Sequence, residues 1–229
     1  MNSIIQYPSL NFNERPKNTK ISLIILHYTE MSPVQKALDR LVDPASKVSA
    51  HYLIAQNGEI YQLVEDQYRA WHAGISAWQG RNNINDHSIG IELDHPGHIS
   101  FVPYRKKLMT SLLALLKFLC DKHQIDQKQI WGHSDIAPDR KIDPGEFFDW
   151  SYLAQYHFGI WFKDQKVNEL MSNKKQAIIW LQEIGYQTTH PFDCVLKAFQ
   201  RHFYPENVTG LLDLETYRRL HLLFQQNFR

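Results

Sequence analysis

Two histidines and an aspartate stand where apolar runs give way to turn-rich sequence. His27 closes the run "ISLIIL" (21–26), His133 closes "QIWG" (129–132), and Asp143 lies in "KIDPG" (141–145). Imidazole nitrogen and carboxylate oxygen are ligands for zinc, which in hydrolases keeps three protein ligands and one open position. Either histidine alone reads more simply as a hydrogen-bonded core residue, and an aspartate before Pro-Gly is equally at home as a turn former. Taken together on separate strand ends, the three make a coherent His2Asp metal site, because the rim of a sheet holds side chains firmly. The stretch "GHSDIAPDRKIDPG" (132–145) is stiffened by Pro138 and Pro144, which argue against a helix there.

Such a site needs a scaffold, and the chain supplies one. "ISLIILHYT" (21–29) is a continuous apolar, β-branched run and predicts a buried strand. "SPVQKALDRLVD" (32–43) has helical spacing, with Ser32 as N-cap and Pro33 at the first helical position. "SAHYLIAQNGEIYQLV" (49–64) predicts a hairpin about Asn57-Gly58. "SIGIEL" (88–93) and "QIWGH" (129–133) predict short strands, and "RKKLMTSLLALLKFLCDKH" (105–123) an amphipathic helix. Residues 1–20 are polar and turn-rich and are expected to form a surface arm. The expected fold class is therefore α/β, a mixed central sheet flanked by helices.

After Trp161 the character changes. Residues 163–173 are polar and predict a linker, followed by three helical segments, "KQAIIWLQEIGY", "FDCVLKAFQRHFY" and "DLETYRRLHLLFQQNF". We expect a domain over 1–162 and a small helical domain over 163–229. About 60 residues bury little core, so the second piece is expected to dock on the first.

Composition excludes some functions. The 229 residues are 43% hydrophobic and 21% charged with a net charge of +1, so sequence-independent nucleic-acid binding is not expected. The longest apolar stretch, "LLALLKFLC" (112–120), is short and interrupted by Lys117, which predicts no transmembrane segment. Cys120 and Cys194 lie in apolar helical patterns and are expected as buried free thiols. Asp135 and Asp139 have no evident chemical role.

The order of "LIILHYTEM", the hairpin, "AWHAGIS", "WQGRNNIND", "SIGIEL" and "GHSDIAPDRKIDPG" resembles the zinc-dependent N-acetylmuramoyl-L-alanine amidases of the amidase-2 family, related to the peptidoglycan recognition proteins. The likeness covers roughly residues 5–160 and is strongest to the AmiD/AmpD-like branch. The C-terminal segments resemble a three-helix peptidoglycan-binding domain, with its glycine- and aspartate-rich turn reduced to "NVTGLLD".

The resemblance implies zinc held by His27, His133 and Asp143. It implies a zinc-activated water as nucleophile, Glu92 of "IGIE" as general base and acid, and Lys141 beside the oxyanion. It also implies substrate contacts from Arg81, which would pair with a stem-peptide carboxylate, and from His72, with Tyr28, Trp71 and Trp78 as an apolar wall. Asn82, Asn83 and Asn85 are loop hydrogen-bonders or sugar contacts. His51, in a hairpin strand, reads as a buried orienter rather than a ligand. Asp139 departs from the family's small residue and places a charge near the metal loop.

The implied reaction is hydrolysis of the amide between the lactyl group of N-acetylmuramic acid and L-alanine. Its partner would be peptidoglycan or a muropeptide, and the protein a monomer. The rivals are a non-catalytic wall-binding module and a zinc peptidase acting within the stem; no H-E-x-x-H helix supports a common metalloprotease. The N-terminus lacks a signal-peptide pattern, which points to the cytoplasm. The wall-binding-like tail points to the envelope, and on balance the envelope is slightly favoured.

Overall fold

The computed structural model describes residues 3–167 and 170–229. In chain order the strands and helices are β1 (Ile4–Gln6), β2 (Phe12–Glu14), β3 (Leu23–Tyr28), α1 (Val34–Val42), β4 (Tyr52–Ile54), β5 (Ile60–Gln62), β6 (Tyr68–Ala70), β7 (Ala77–Trp78) and β8 (Arg81–Asn82). They continue with β9 (Ser88–Leu93), α2 (Lys106–His123), β10 (Ile130–Gly132), α3 (His133–Ile136), α4 (Trp150–Gln155), α5 (Lys174–Ile184), α6 (Phe192–Phe203) and α7 (Leu214–Asn227).

Six strands form one mixed sheet in the order β1-β5-β4-β9-β3-β10. The β4-β9-β3-β10 part is parallel throughout; β5 runs antiparallel to β4 and parallel to β1. Side chains alternate between faces along a strand, and the register shows what each face is for. Ile24 and Leu26 of β3 lie beside Ile89 and Ile91 of β9 and pack under Leu108, Leu112, Leu115 and Leu119 of α2. The other positions of the same two strands, Leu23, Ile25 and His27, lie beside Ser88, Gly90 and Glu92. One face is thus wholly apolar, and the opposite face becomes polar toward the C-terminal strand ends.

That second face also receives the C-terminal helices. Leu23, Ile25, Trp78, Trp131 and Ile136 share one buried cluster with Trp180, Leu181, Phe199, Phe203 and Leu220. Docking of α5–α7 on the sheet, expected from their small size, is what the structure shows. The expected linker precedes α5; its residues 168 and 169 lie outside the described ones.

Several local expectations need correction. Ser32 does not cap α1: the N-cap is the extended Pro33, with no side-chain hydrogen bond, and the helix begins at Val34. The segment from 133 is not wholly irregular, because His133–Ile136 makes one helical turn before Pro138. Proline blocks its own position and disfavours helix just before it, which leaves that turn free to form. The N-terminal arm is built into the fold rather than laid over it. β1 extends the main sheet, β2 pairs with β6, and the Arg15 guanidinium donates to the carbonyls of Asp66, Asn85, Asp86 and Ser88. Cys120 is buried and Cys194 only half-buried; both are free.

His51 is buried on β4's approach, where its Nδ1 accepts from the Gly90 amide at 3.0 Å and its Nε2 meets the Tyr68 carbonyl at 3.1 Å. It therefore holds the β4–β9 pair rather than a metal ligand. Burial first, and the Arg15 charge second, push its pKa from 6.5 down to about 3. The unfolded chain then takes up this proton first, so the contribution is fully present above pH 6.5 and is lost progressively toward pH 3. We expect the wild-type unfolding free energy to fall on acidification with a share of about 1.4 kcal/mol per pH unit from this one proton. Urea unfolding of wild type and His51→Gln at pH 7 and pH 5 checks it: the variant should have the shallower pH dependence, and equal slopes would exclude His51 as the source.

Candidate active site

β3, β9 and β10 end side by side, and their C-terminal ends carry the chemistry. His27 sits on β3 directly beside Glu92 on β9. Gly132 on β10 pairs with Leu26, so His133, the next residue, emerges next to His27. Asp143 returns to the same place because the Ser134 amide donates to its carbonyl at 2.9 Å. His27 Nδ1, His133 Nδ1 and Asp143 Oδ2 are mutually 3.0 Å apart in all three pairs. All three residues are buried.

Hydrogen bonds on the far side of each ring define which atoms face the centre. His133 Nε2 lies 3.1 Å from the Ala73 carbonyl, which can only accept, so the ring proton is there and Nδ1 is a lone pair. His27 Nε2 is 3.0 Å from His72 Nδ1, His72 Nε2 is 3.1 Å from Ser88 Oγ, and Ser88 Oγ donates to the Ile84 carbonyl at 2.7 Å. Read back from that carbonyl, the chain puts a proton on Nε2 of each histidine and leaves His27 Nδ1 as a lone pair too. Two imidazole lone pairs and a carboxylate oxygen at 3.0 Å repel unless a cation lies among them. An ion about 2.0–2.1 Å from each atom fits above such a triangle, and the donor set is one that zinc accepts. The residues therefore fit a metal.

The protonation tendencies agree. Burial chiefly, then the His133 charge, lower the His27 pKa to about 4, which keeps the ring neutral and able to ligate. Burial alone would raise Asp143, but the facing histidines reverse this and hold the carboxyl well below its usual range.

Glu92 lines the same cleft, and its Oε2 is buried without a hydrogen-bond partner among the described residues. Burial, then the nearby Asp143 charge, raise its pKa well above the ordinary carboxylate value, with Lys141 opposing. A carboxyl group with raised pKa is suited to taking and returning a proton. Lys141 borders the cleft, and its backbone amide donates a hydrogen bond to the Ala137 carbonyl at 3.0 Å. The cleft holds about 320 Å³ and is walled by Tyr28, Trp71 and the α1 residues Arg40 and Leu41. Trp71 is fixed by donation from its indole to Asn13 Oδ1 at 2.6 Å.

Other expected contacts fall elsewhere. Arg81 is exposed, bonds Ser22 Oγ at 2.8 Å and borders a separate depression with Lys20 and Gln129. The β7–β8 ribbon is anchored by Trp78 in the junction core, and its second strand lies out over Ser22. Trp78 is no cleft wall: it is 1% exposed and packs 4.3 Å from Trp131. His72 borders the cleft but is buried behind His27, and its hydrogen bonds are spent on His27 and Ser88. Gly90 makes room for it, since a Cβ there would come within 2.4 Å of the His72 ring. Asn85 Oδ1 accepts from the amides of His72 and Ala73, so it shapes the loop from inside. Asp139 is exposed and turns outward toward His190, 3.4 Å away.

Three elements escaped sequence reading. Ser88 looked like a mere strand start; its place on the polar face, two residues before Gly90, was the available signal. Arg140 binds the carbonyls of Ala73 and Ile75, clamping the loop that accepts from His133. Asp135 is at the centre of a buried knot described below.

A mixed sheet whose parallel strand ends bring together a His2Asp group able to hold a metal, with Glu92 beside it, is the architecture of a hydrolase of the amidase type. The family model for N-acetylmuramoyl-L-alanine amidase (Amidase_2) matches residues 17–146, and the chain belongs to this family. It is 35% identical to the N-acetylmuramoyl-L-alanine amidase AmiD of Escherichia coli (strain K12), covering 86% of this chain and 80% of that protein. It is 39% identical to the 1,6-anhydro-N-acetylmuramyl-L-alanine amidase AmpD of Haemophilus influenzae over 65% of this chain and 90% of that one. Among solved structures, the E. coli AmiD complex with anhydro-N-acetylmuramic acid-L-Ala-D-gamma-Glu-L-Lys superposes with a TM-score of 0.83 at 31% identity, covering 94% of this chain and 93% of that one. Pseudomonas aeruginosa AmpDh3 with anhydromuramic pentapeptide gives 0.83 at 29% identity, over the whole of both chains.

Proposed function

We propose that this protein hydrolyses the amide between the lactyl carbonyl of N-acetylmuramic acid and L-alanine of the stem peptide, using zinc held by His27, His133 and Asp143. The observation that carries the reading is the triangle of three inward-facing lone pairs at 3.0 Å beside Glu92, whose buried Oε2 has no partner among the described residues. Support for the substrate comes from the anhydro-muropeptide ligands of the two similar structures, AmiD and AmpDh3.

When bound, zinc supplies Lewis acidity that makes water a usable nucleophile near neutral pH. The remaining work belongs to the chain. Glu92 accepts a proton from water as oxygen adds to the lactyl carbonyl carbon, and returns a proton to the alanine nitrogen as the C–N bond breaks. Lys141 faces the oxygen on which negative charge develops. Trp71 and Tyr28 offer flat apolar surface to the sugar and its lactyl arm. His72 holds His27 in one tautomer, which is a positioning task rather than a substrate contact. The substrate carboxylate expected of Arg81 would need another cation, and Arg40 on the cleft wall is available for it. We place the activity in the cell envelope, where its substrate is made and turned over.

Lys141→Ala is expected to lower kcat by about 10²–10³-fold, as for loss of an oxyanion partner, with KM little changed. Steady-state rates on a soluble anhydro-muropeptide check this; a loss confined to KM would make Lys141 a ground-state contact instead. The reading as a whole is tested by chelator treatment. Activity should vanish and return on adding zinc, and activity that persists with less than stoichiometric metal would overturn it.

A further inference from the structure

The buried knot around Asp135 links the C-terminal helices to the metal loop. Asp135 is 1% exposed, and both its carboxylate oxygens are fully engaged. Oδ1 accepts from the Tyr186 hydroxyl at 2.6 Å; Oδ2 accepts from the Gly132 amide at 2.8 Å and lies 2.8 Å from His202 Nδ1. Tyr186 follows α5 and His202 lies on α6, whereas Gly132 and Asp135 flank His133. The two domains therefore satisfy one carboxylate between them, and the backbone it grips is the turn that presents a metal ligand.

The partners of this carboxylate are themselves held tightly. The His202 ring stacks on Trp150 with centroids 3.8 Å apart and on Phe203 at 4.0 Å. Tyr186 packs edge-on to Trp78 at 4.9 Å. The Gln79 amide donates to the Gly185 carbonyl at 3.0 Å, one residue before Tyr186. Without these helices Asp135 would keep only the Gly132 amide, and a buried or half-buried carboxylate short of donors moves toward water. Moving it would shift the turn that starts at His133.

We infer that the three C-terminal helices are a brace for the metal centre: Tyr186 and His202 hold Asp135, and through it the backbone that aims His133. Tyr186 and His202 are positioning residues in this account, and neither touches substrate. The inference rests on His133 being a metal ligand. It makes the helical tail part of the catalytic unit, a role distinct from tethering the enzyme to the wall.

The test uses full-length protein with Tyr186→Phe, His202→Ala and His202→Asn. Zinc affinity is measured by competition with a chromophoric chelator, together with kcat and KM on a soluble anhydro-muropeptide and thermal melting. Phenylalanine keeps the ring of Tyr186 and removes only the donor, so it tests the hydrogen bond with little packing change. Supporting ligand-orienting contacts are typically worth 10–100-fold in metal affinity. We expect Tyr186→Phe to weaken zinc binding about tenfold and lower kcat with KM unchanged, at a temperature where the protein is fully folded. His202→Ala should do the same or more, and His202→Asn, whose amide can reach the Nδ1 position, should restore part of the loss. Unchanged zinc affinity and kcat in Tyr186→Phe, with or without a lowered melting temperature, would overturn the brace. Failure of the wild type itself to bind zinc would instead overturn the metal reading on which it rests.

Discussion

Asp143→Ala protein is expected to retain less than about a tenth of an equivalent of zinc after dialysis and to lose turnover with it, since metal affinity depends on the full ligand set. The expectation follows from charge. His27 and His133 offer neutral lone pairs, and Asp143 is the one anion facing them. Removing it would take away a proposed ligand together with its negative charge. Two imidazoles 3.0 Å apart then have only each other, and both rings still have hydrogen-bond partners on their outer edges. The fold should survive, because those outer bonds and the sheet register do not involve the carboxylate. Elemental analysis together with a thermal melt decides the matter. A folded variant with a full equivalent of zinc would mean that Asp143 is not a ligand.

Glu92→Ala is expected to show the opposite division, with zinc at wild-type stoichiometry and kcat lower by about 10²–10⁴-fold, the usual share of a positioned acid-base group. Glu92 borders the triangle without belonging to it, and among the described residues no hydrogen bond ties its buried Oε2 to the scaffold. A buried carboxylate oxygen left unpartnered costs stability, so the alanine variant should melt no lower than wild type. That combination, higher or equal stability with lost turnover, separates a functional residue from a structural one. A kcat within a few-fold of wild type would remove Glu92 from proton transfer.

How legible the site was depended on how far each group lies from its own strand. His27 and Glu92 sit on neighbouring parallel strands whose apolar patterns are plain, so their adjacency follows from pairing "LIILHY" with "SIGIEL" in register. His133 follows a strand that borders β3, and the stiff segment behind it brings Asp143 back. His72 was harder. It lies in a loop, and its place behind His27 depends on Gly90 leaving a hollow and Ser88 offering a hydroxyl, neither of which has a local signature. Arg81 shows the converse: the motif suggests a substrate loop, but it does not tell where the ribbon lies, which Trp78, buried in the junction, fixes.

The junction itself was the least legible part. Three amphipathic helices announce that they need a surface, but periodicity does not say which surface. Asp135 carried no chemical signal because its partners, Tyr186 and His202, are 51 and 67 residues away. The N-terminal arm was misread for a related reason. Its strands are only three residues long and are held by backbone pairing and by Arg15, with Ile4 and Phe12 adding apolar contacts that are too few to make a pattern.

The central claim concerns which bond is cut and by what. Mass spectrometry of the products from anhydro-N-acetylmuramyl-tripeptide, digested in ¹⁸O-enriched water with and without chelator, tests it most directly. The account predicts an intact tripeptide with a free L-alanine amine and one ¹⁸O in the lactyl carboxylate of the sugar, both absent when metal is stripped. Label in a carboxylate within the peptide would make the enzyme a stem peptidase, and an uncleaved substrate with zinc bound would make it a binding module.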